Sequence, residues 1–358
     1  MGLEKQSACA YETRMLTLIF MVGVLSASAA PSHILMDTHI DLPDKLREHP
    51  ADISTETGGE FDIPKARRGG LDGAFMSIYV PTPEHLPKGI NAAHYAEQQI
   101  ALVENLIAKH PTDLGLAKSP SDVVRLKSEG KIALAMGMEN GDPIGLNLER
   151  IDMYFQRGIR YITLAHAKDN AICDSSYDTR HTWKGVSHFG QSVIKEMNRV
   201  GMIIDVSHIS DDAFWQVLKL SSVPVIASHS SLRHFKPGFE RNMTDDMVIA
   251  LAKHGGVVHI NFGNYFLGEK SPEPVSASKV ADHIDRVVRL VGVDHVGFGS
   301  DFDGVFGNLP KDLKTAADYP NLLAELRARG YSEDAMGKMM SGNLFRVWEK
   351  VLAARLVP

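Results

Sequence analysis

The sequence predicts a single (β/α)8 TIM barrel, an α/β fold in which eight parallel strands alternate with helices. Eight short, apolar, β-rich runs follow one another along the chain, and amphipathic helical patterns separate them. Runs that are apolar on both faces are typical of parallel strands buried beneath helices. A chain of 358 residues could hold one large barrel or two domains, and eight such alternations favour the barrel.

The predicted strands are best located by their last residues. In chain order these are Thr38, Tyr79, Met138, Ala165, Ser207, Ser228, Asn261 and Ser300. Between the second and third strands, residues 91–110 place Ile100 and Val103 on one helical face. Ser121 is predicted to cap the following helix, and Gly130 is predicted to end it. Residues 245–256 begin with acidic side chains and end in glycine, which suits the helix dipole.

The N-terminus is predicted to be a signal peptide covering residues 1–29. Lys5 and Arg14 precede the apolar run at 15–25, and the small residues at 27–29 fit a cleavage site. That run is too short to cross a bilayer as a helix. A membrane anchor or a first core helix is the alternative interpretation.

Residues 30–358 are therefore expected to form one exported domain, either periplasmic or secreted. Glu4 and Glu12 are unusual in a leader, so a start codon further downstream stays open. Cys9 falls in the leader, which leaves Cys173 alone and excludes a disulfide within the mature chain. The net charge of −6 gives no basic footprint for nucleic acid.

Metal-ligating side chains follow the predicted strands at the points where the strands end. In a TIM barrel, these carboxyl ends form the catalytic face. The side chains are His39 and Asp41, Glu139, His166, His208, His229 and Asp301.

These residue types favour a binuclear metal site. Because residues i and i+2 of a strand share a face, His39 and Asp41 can bind one ion together. Glu139 has two oxygens that could bridge to a second ion held by His208 and His229. Two metals about 3.5–4 Å apart can share a hydroxide and polarise a carbonyl, and a nearby carboxylate can move the proton.

The plainer interpretation applies to most of the 16 histidines, which are expected to be surface or core residues. His259, inside a predicted strand, is interpreted as structural, and Asp303 as a loop residue. Asp37 and Asp205 are predicted to orient ligand imidazoles from behind. The sequence has no Gly-x-Ser-x-Gly nucleophile elbow.

The ordered motifs resemble those of the renal or membrane dipeptidases, zinc enzymes of the amidohydrolase superfamily. The matching stretches are DTHIDLP, GMENG, LAHAKDN, DVSHIS, IASHSS, RNMTDD and HVGFGSDFDGV, with similar C-terminal helices after residue 319. The resemblance thus covers nearly the whole mature chain.

The resemblance implies a zinc-dependent dipeptidase that binds two Zn²⁺ and cleaves L-Xaa-L-Xaa and L-Xaa-D-Xaa dipeptides. It implies that His166 steadies the oxyanion, and that Arg241 holds the substrate carboxylate. Asp301 would shuttle the proton, with Tyr265 near the same carboxylate. It also suggests a homodimer.

Several alternatives stay open at this stage. The same ligands suit cobalt or manganese. Another amidohydrolase acting on a lactone, cyclic amide or ester would share the metals without needing Arg241. A non-catalytic peptide-binding relative is a third reading, although Asp301 and Glu139 argue against it. The chain ends AARLVP, so no lipid anchor is expected in the mature protein.

Overall fold

The computed structural model describes residue 1, residues 33–268 and residues 275–356. Apart from Met1, the predicted leader at 1–29 lies outside the described residues and stays a prediction. Within the described ranges, no helix combines the length and apolar character needed to span a bilayer.

Eight parallel strands form a nearly closed barrel, as the sequence predicts. Each strand pairs with the next barrel strand in chain order. The barrel strands are β1 (Met36–Ile40), β2 (Gly73–Tyr79), β4 (Ile132–Glu139), β5 (Ile159–Thr163), β6 (Ile203–Asp205), β7 (Ile226–Ala227), β8 (Val257–Ile260) and β9 (Val296–Phe298). A further strand, β3 (Leu114–Leu116), pairs only with β4. The sequence does not predict it because three residues are too few to show a period.

Helices occupy the connections between the strands. They are α1 (Leu42–Glu48), α2 (Ile63–Gly69), α3 (Ala92–Lys109), α4 (Pro120–Ser128), α5 (Glu149–Arg157), α6 (His188–Val200), α7 (Asp211–Leu220), α8 (Asp245–Lys253), α9 (Asn264–Leu267), α10 (Ala277–Val291), α11 (Tyr319–Ala328), α12 (Glu333–Gly337) and α13 (Asn343–Ala353). A π-helical segment (Lys338–Gly342) joins the last two.

One predicted helix cap was wrong by two residues. Ser119, not Ser121, accepts a hydrogen bond from the Asp122 N–H of α4, at 3.2 Å. Pro120 takes the first helical position, where its missing N–H costs nothing. The serine before that proline therefore becomes the cap.

The inside of the barrel is packed with side chains rather than open. Phe75 lies 5.2 Å from the Tyr161 ring and 5.0 Å from the Trp348 ring of α13, measured between centroids. Met36, the first residue of β1, belongs to the same buried cluster, so α13 covers the end where the strands begin. A Cβ at Gly137 would lie 2.0 Å from Tyr161, so only glycine leaves room for that ring.

The barrel closes where the chain leaving β9 meets β1. Asp301 N–H donates to the His39 carbonyl at 3.1 Å, and Asp41 N–H donates to the Phe302 carbonyl at 2.8 Å. Behind this seam, the buried Asp37 carboxylate accepts from the N–H groups of His39 and Ser300, both at 3.0 Å.

The position of Asp37 differs from the sequence expectation. Its carboxylate contacts backbone N–H groups and the Tyr319 hydroxyl, at 2.7 Å, rather than an imidazole ring. Asp37 therefore fixes the path of the backbone at the seam.

Replacing Tyr319 with phenylalanine tests this closure. We expect Tyr319→Phe to lower the free energy of unfolding by about 1–3 kcal/mol, because a buried carboxylate oxygen loses its donor. Tyr331→Phe is the control: it removes a hydroxyl bonded to Asp285 in a half-buried position and should cost less than about 1 kcal/mol. Urea titrations of the two variants would give both values, and equal losses would contradict the prediction.

Candidate metal centre

The five predicted metal ligands meet at the carboxyl-terminal mouth of the barrel. His39 and Asp41 come from the end of β1, and Glu139 is the last residue of β4. His208 and His229 follow β6 and β7. All five side chains are buried, so their polar atoms face one another rather than solvent.

Glu139 lies at the centre of this group, with its two oxygens facing different imidazoles. Oε2 is 3.5 Å from Nε2 of His39. Oε1 is 3.0 Å from Nε2 of His208 and 3.3 Å from Nε2 of His229. A carboxylate placed in this way can serve two cations at once.

The potential metal-donor atoms of these side chains lie very close to one another. The Nε2 atoms of His208 and His229 are 2.7 Å apart. Nε2 of His39 is fully buried and has no hydrogen-bond partner in the described part of the chain, although Asp41 Oδ2 is 3.4 Å away. Nitrogen and carboxylate oxygen donors in this arrangement fit zinc or a similar divalent ion.

The candidate donor atoms fall into three overlapping groups, each contained within 4.8 Å. The groups are His39, Glu139 and His229; Glu139, His166 and His208; and His39, Asp41 and Asp301. Because the groups share His39 and Glu139, the cluster is one continuous site rather than three.

The protonation of the site suits metal binding. Burial lowers the pKa of His208 and His229 well below the usual value, so both rings are neutral and can donate lone pairs. Burial opposes ionisation of Glu139, but the nearby imidazoles of His39 and His166 bring the pKa of Glu139 well below normal. The result is a charged Glu139 carboxylate beside two neutral ligand rings, those of His208 and His229.

The β1 side of the site attracts positive charge. Burial disfavours a charged His39, yet Tyr161, Asp41 and Glu139 together raise the pKa of His39 well above normal. Burial, followed by the neighbouring Asp41, raises the pKa of Asp301 to about 7. A group with that pKa can both accept and release a proton near neutral pH.

Tyr161 sets the tautomer of His39, a role that the sequence did not reveal. Its hydroxyl donates to the Thr38 carbonyl at 3.1 Å and lies 2.8 Å from Nδ1 of His39. Because a phenol has a single proton, Tyr161 must accept from Nδ1–H of His39. Nε2 of His39 is therefore the ring nitrogen left to bind a metal in the cluster.

Asp205 acts on His229 in the same way, through one intermediate. Ser228 Oγ donates to Asp205 at 2.6 Å and lies 2.8 Å from Nδ1 of His229. With its proton committed to Asp205, the serine accepts from Nδ1–H and leaves Nε2 free for a metal. Asp205 thus orients a ligand imidazole from behind, as the sequence predicts, and does so through Ser228.

His166 and Asp301 stand beside the predicted ligands. His166 is half-buried with Nε2 3.5 Å from Glu139 Oε1, and burial lowers the pKa of its imidazole. Asp301 Oδ1 is 4.0 Å from Nε2 of His39. Its other oxygen accepts from the Asn261 amide at 2.7 Å, a contact that the sequence did not predict.

Arg241 is buried close to the cluster. Nη1 donates to Ser230 Oγ at 2.7 Å, and Nη2 donates to the His229 carbonyl at 2.6 Å. Its Nε has no hydrogen-bond partner among the described residues. The Arg241 guanidinium lies 5.4 Å from the centroid of the Phe266 ring, a residue that the sequence did not single out.

A cavity of about 720 Å³ opens above the cluster. Asp41, Glu139, His166, His208 and Asp301 line it. Its rim includes Tyr265, which is half exposed with its ring 3.2 Å from the ammonium nitrogen of Lys236. A second cavity, of about 820 Å³, contains none of the predicted ligands, so size alone does not identify the site.

Two residues interpreted as structural contact the backbone. His259 Nδ1 lies 3.1 Å from the Ala227 carbonyl, and burial lowers the pKa of its ring to about 4. Asp303 accepts from the N–H groups of Glu60 and Phe61, at 2.8 and 3.2 Å.

Known proteins resemble this chain in sequence and in fold. A family model described as membrane dipeptidase (peptidase family M19) matches residues 28–356. Dipeptidase tcpJ of Claviceps purpurea is 34% identical over 301 residues, covering 83% of this chain and 70% of the relative. Dipeptidase ataJ of Aspergillus terreus is 33% identical over 349 residues, covering 88% and 84%.

Solved structures agree with these matches. The probable dipeptidase PvdM of Pseudomonas aeruginosa superposes with a TM-score of 0.82 at 28% identity, covering 90% of this chain and 96% of that one. A metallopeptidase of Rhodobacter sphaeroides, solved with a phosphinate mimic of the dipeptide L-Ala-D-Ala, gives 0.80 at 26% identity, covering 89% and 99%.

Removing the Tyr161 hydroxyl tests its control of His39. We expect Tyr161→Phe to weaken binding of zinc by about 10-fold to 100-fold, because Nδ1 of His39 loses the partner that fixes the ring. Tyr154→Phe is the control, since that buried hydroxyl donates a weak hydrogen bond to the Pro143 carbonyl, at 3.4 Å, away from the predicted ligands. Competition with a zinc chelator measures the affinity, and equal affinities in both variants would contradict the prediction.

Proposed function

The chain belongs to the membrane dipeptidase family, peptidase family M19, and we propose that it cleaves L-Xaa-L-Xaa and L-Xaa-D-Xaa dipeptides with two zinc ions. Membership makes it a metal-dependent dipeptidase on a TIM barrel. The observation that carries the finer proposal is Glu139, whose two oxygens face different imidazoles, Oε2 that of His39 and Oε1 those of His208 and His229. The dipeptide mimic bound by the Rhodobacter sphaeroides relative supports tolerance of a D-residue at the C-terminal position.

The residues at the barrel mouth fit two divalent cations. His39 and Asp41 would hold one, His208 and His229 the other, and Glu139 would contact both. Bound cations would supply an activated water and polarise the peptide carbonyl.

The remaining side chains would position the dipeptide and move its protons. His166, a neutral imidazole, would donate an N–H to the carbonyl oxygen as negative charge builds on it. Asp301, with a pKa of about 7, would take a proton from the attacking water and release it to the departing amine. The unpartnered Nε of Arg241 supports a role in binding the substrate carboxylate, with Tyr265 at the rim.

A panel of dipeptides tests this function. Metal-loaded protein should cleave L-Ala-L-Ala and L-Ala-D-Ala, and a chelator should abolish both activities. Metal analysis should give two zinc ions per chain. Failure of the loaded protein to cleave any dipeptide would contradict the proposal and favour a lactone, cyclic amide or ester as substrate, or a peptide-binding role.

Arg241→Ala addresses recognition of the substrate carboxylate. We expect KM for dipeptides to rise at least about 10-fold, because one charged hydrogen bond is worth about 1.5–3 kcal/mol. Dipeptide amides, which lack that carboxylate, should be cleaved equally by both proteins. Arg199→Ala, on the outside of α6, is the control with unchanged kinetics. Unaltered dipeptide cleavage by Arg241→Ala would count against this role.

We also propose that the chain is exported after removal of residues 1–29. The positive residues, apolar run and small-residue site at the N-terminus support this. Mass spectrometry of protein from the periplasm or medium should find a chain beginning at Ala30. The substitution Leu18→Arg, within the apolar run, should block export. Exported protein that still carries residues 1–29 would contradict the proposal. The homodimer stays a prediction.

A further inference from the structure

The segment that follows β9 bends through an unusual backbone path. Asp301, Asp303 and Phe306 have φ values of 64°, 65° and 54°, and Gly307 has 72°. The left-handed region is unfavourable for residues with a Cβ. Contacts with the rest of the protein must therefore hold this segment in place.

The same segment packs directly on two site carboxylates. A Cβ at Gly304 would lie 2.2 Å from Asp41 Oδ2 and 2.5 Å from Asp301 Oδ1. There is no space between the segment and these side chains. A shift of the segment would therefore move Asp301 relative to Asp41.

A reciprocal pair of contacts joins the segment to the connection between α1 and α2. The Asp303 carboxylate accepts from Glu60 N–H at 2.8 Å and from Phe61 N–H at 3.2 Å. In return, the Glu60 carboxylate accepts from Asp303 N–H. We call this arrangement the Glu60–Asp303 clasp.

The Glu60 side of the clasp is anchored. The Lys65 ammonium donates to the carbonyls of Thr57 and Gly59 at 2.7 and 2.9 Å, and to Asp62 at 2.6 Å. Phe61 is fully buried. The clasp therefore ties the strained segment to a fixed part of the fold rather than to a loose loop.

We propose that Glu60 and Asp303 are positioning residues. They hold the Asp301 carboxylate where it can take a proton from the attacking water and pass it to the departing amine. The inference rests on the role of Asp301 under the proposed function. Glu60 acts here as a hydrogen-bond acceptor, and its charge is not required. Burial, with Asp303 close by, raises the pKa of Glu60 to about 7, and either protonation state leaves an oxygen that can accept.

Two substitutions of Glu60 distinguish the effect of its hydrogen-bond acceptor from the effect of its charge. Glu60→Ala removes the acceptor and should lower kcat about 10-fold to 100-fold, because small misplacements of catalytic groups cost that much. KM and bound zinc should stay within about twofold of wild type. Glu60→Gln retains an acceptor oxygen and should keep kcat within about threefold. Glu56→Ala, an exposed carboxylate in the same connection, is the matched control and should change nothing.

Three outcomes would overturn the proposal. The first is a Glu60→Ala protein with wild-type kcat, and the second is an equal loss in Glu60→Gln. The third is a fall in kcat that follows loss of zinc, which would make the clasp part of metal binding. If Glu60→Ala does not fold, Asp303→Asn takes its place, and a fall in kcat with zinc and KM retained is again expected.

The variant Asp301→Asn distinguishes a failure of the clasp proposal from a failure of the proposed role of Asp301. It should fold, bind zinc and lose nearly all of its kcat if Asp301 transfers the proton. Retained activity in Asp301→Asn would remove the role of Asp301, and the clasp proposal with it. Loss of activity there, with no effect of Glu60→Ala, would remove the clasp proposal alone.

Discussion

The site depends on one buried carboxylate that must stay charged. Glu139 sits among four imidazoles, each with its Nε2 within 3.0–3.5 Å of one of its oxygens. Removing a carboxylate from water is expensive unless opposite charge or hydrogen bonds compensate for it. The barrel provides that compensation because parallel strands deliver histidines from separate positions in the chain to the same mouth. Divalent ions would complete the balance of charge.

Behind two of the ligands, His39 and His229, lies a layer that decides which nitrogen each imidazole presents. Tyr161 fixes His39, and Asp205 fixes His229 through Ser228. Both arrangements are buried and end on backbone or carboxylate, so neither ring can turn without losing the hydrogen bond at its Nδ1. The closed seam between β1 and β9 adds a third constraint by tying the backbone of His39 to that of Asp301. Precision at the metal site therefore comes from the barrel wall rather than from the loops.

Residues that follow an apolar strand directly could be predicted from the sequence, because the barrel places every such residue on one face. The eight strand ends and the convergence of His39, Glu139 and His208 follow from that rule. Tyr161 could not be found in this way, since its role depends on a neighbour across the barrel and on the space left by Gly137. Contacts between segments far apart in the chain, such as that between Glu60 and Asp303, could not be predicted from the sequence either.

The cavity is lined by two groups of residues, its floor and its rim, which differ in how freely they can be substituted. Its floor consists of strand-end residues held by several buried hydrogen bonds. On the rim, Tyr177, Tyr265 and Phe306 belong to connections and are exposed, by 39%, 52% and 98%. Substitutions on the rim touch few of the bonds that stabilise the floor. Duplicated copies of such a gene could therefore diverge toward new peptides by changing the rim, while the inherited chemistry persists unchanged beneath it.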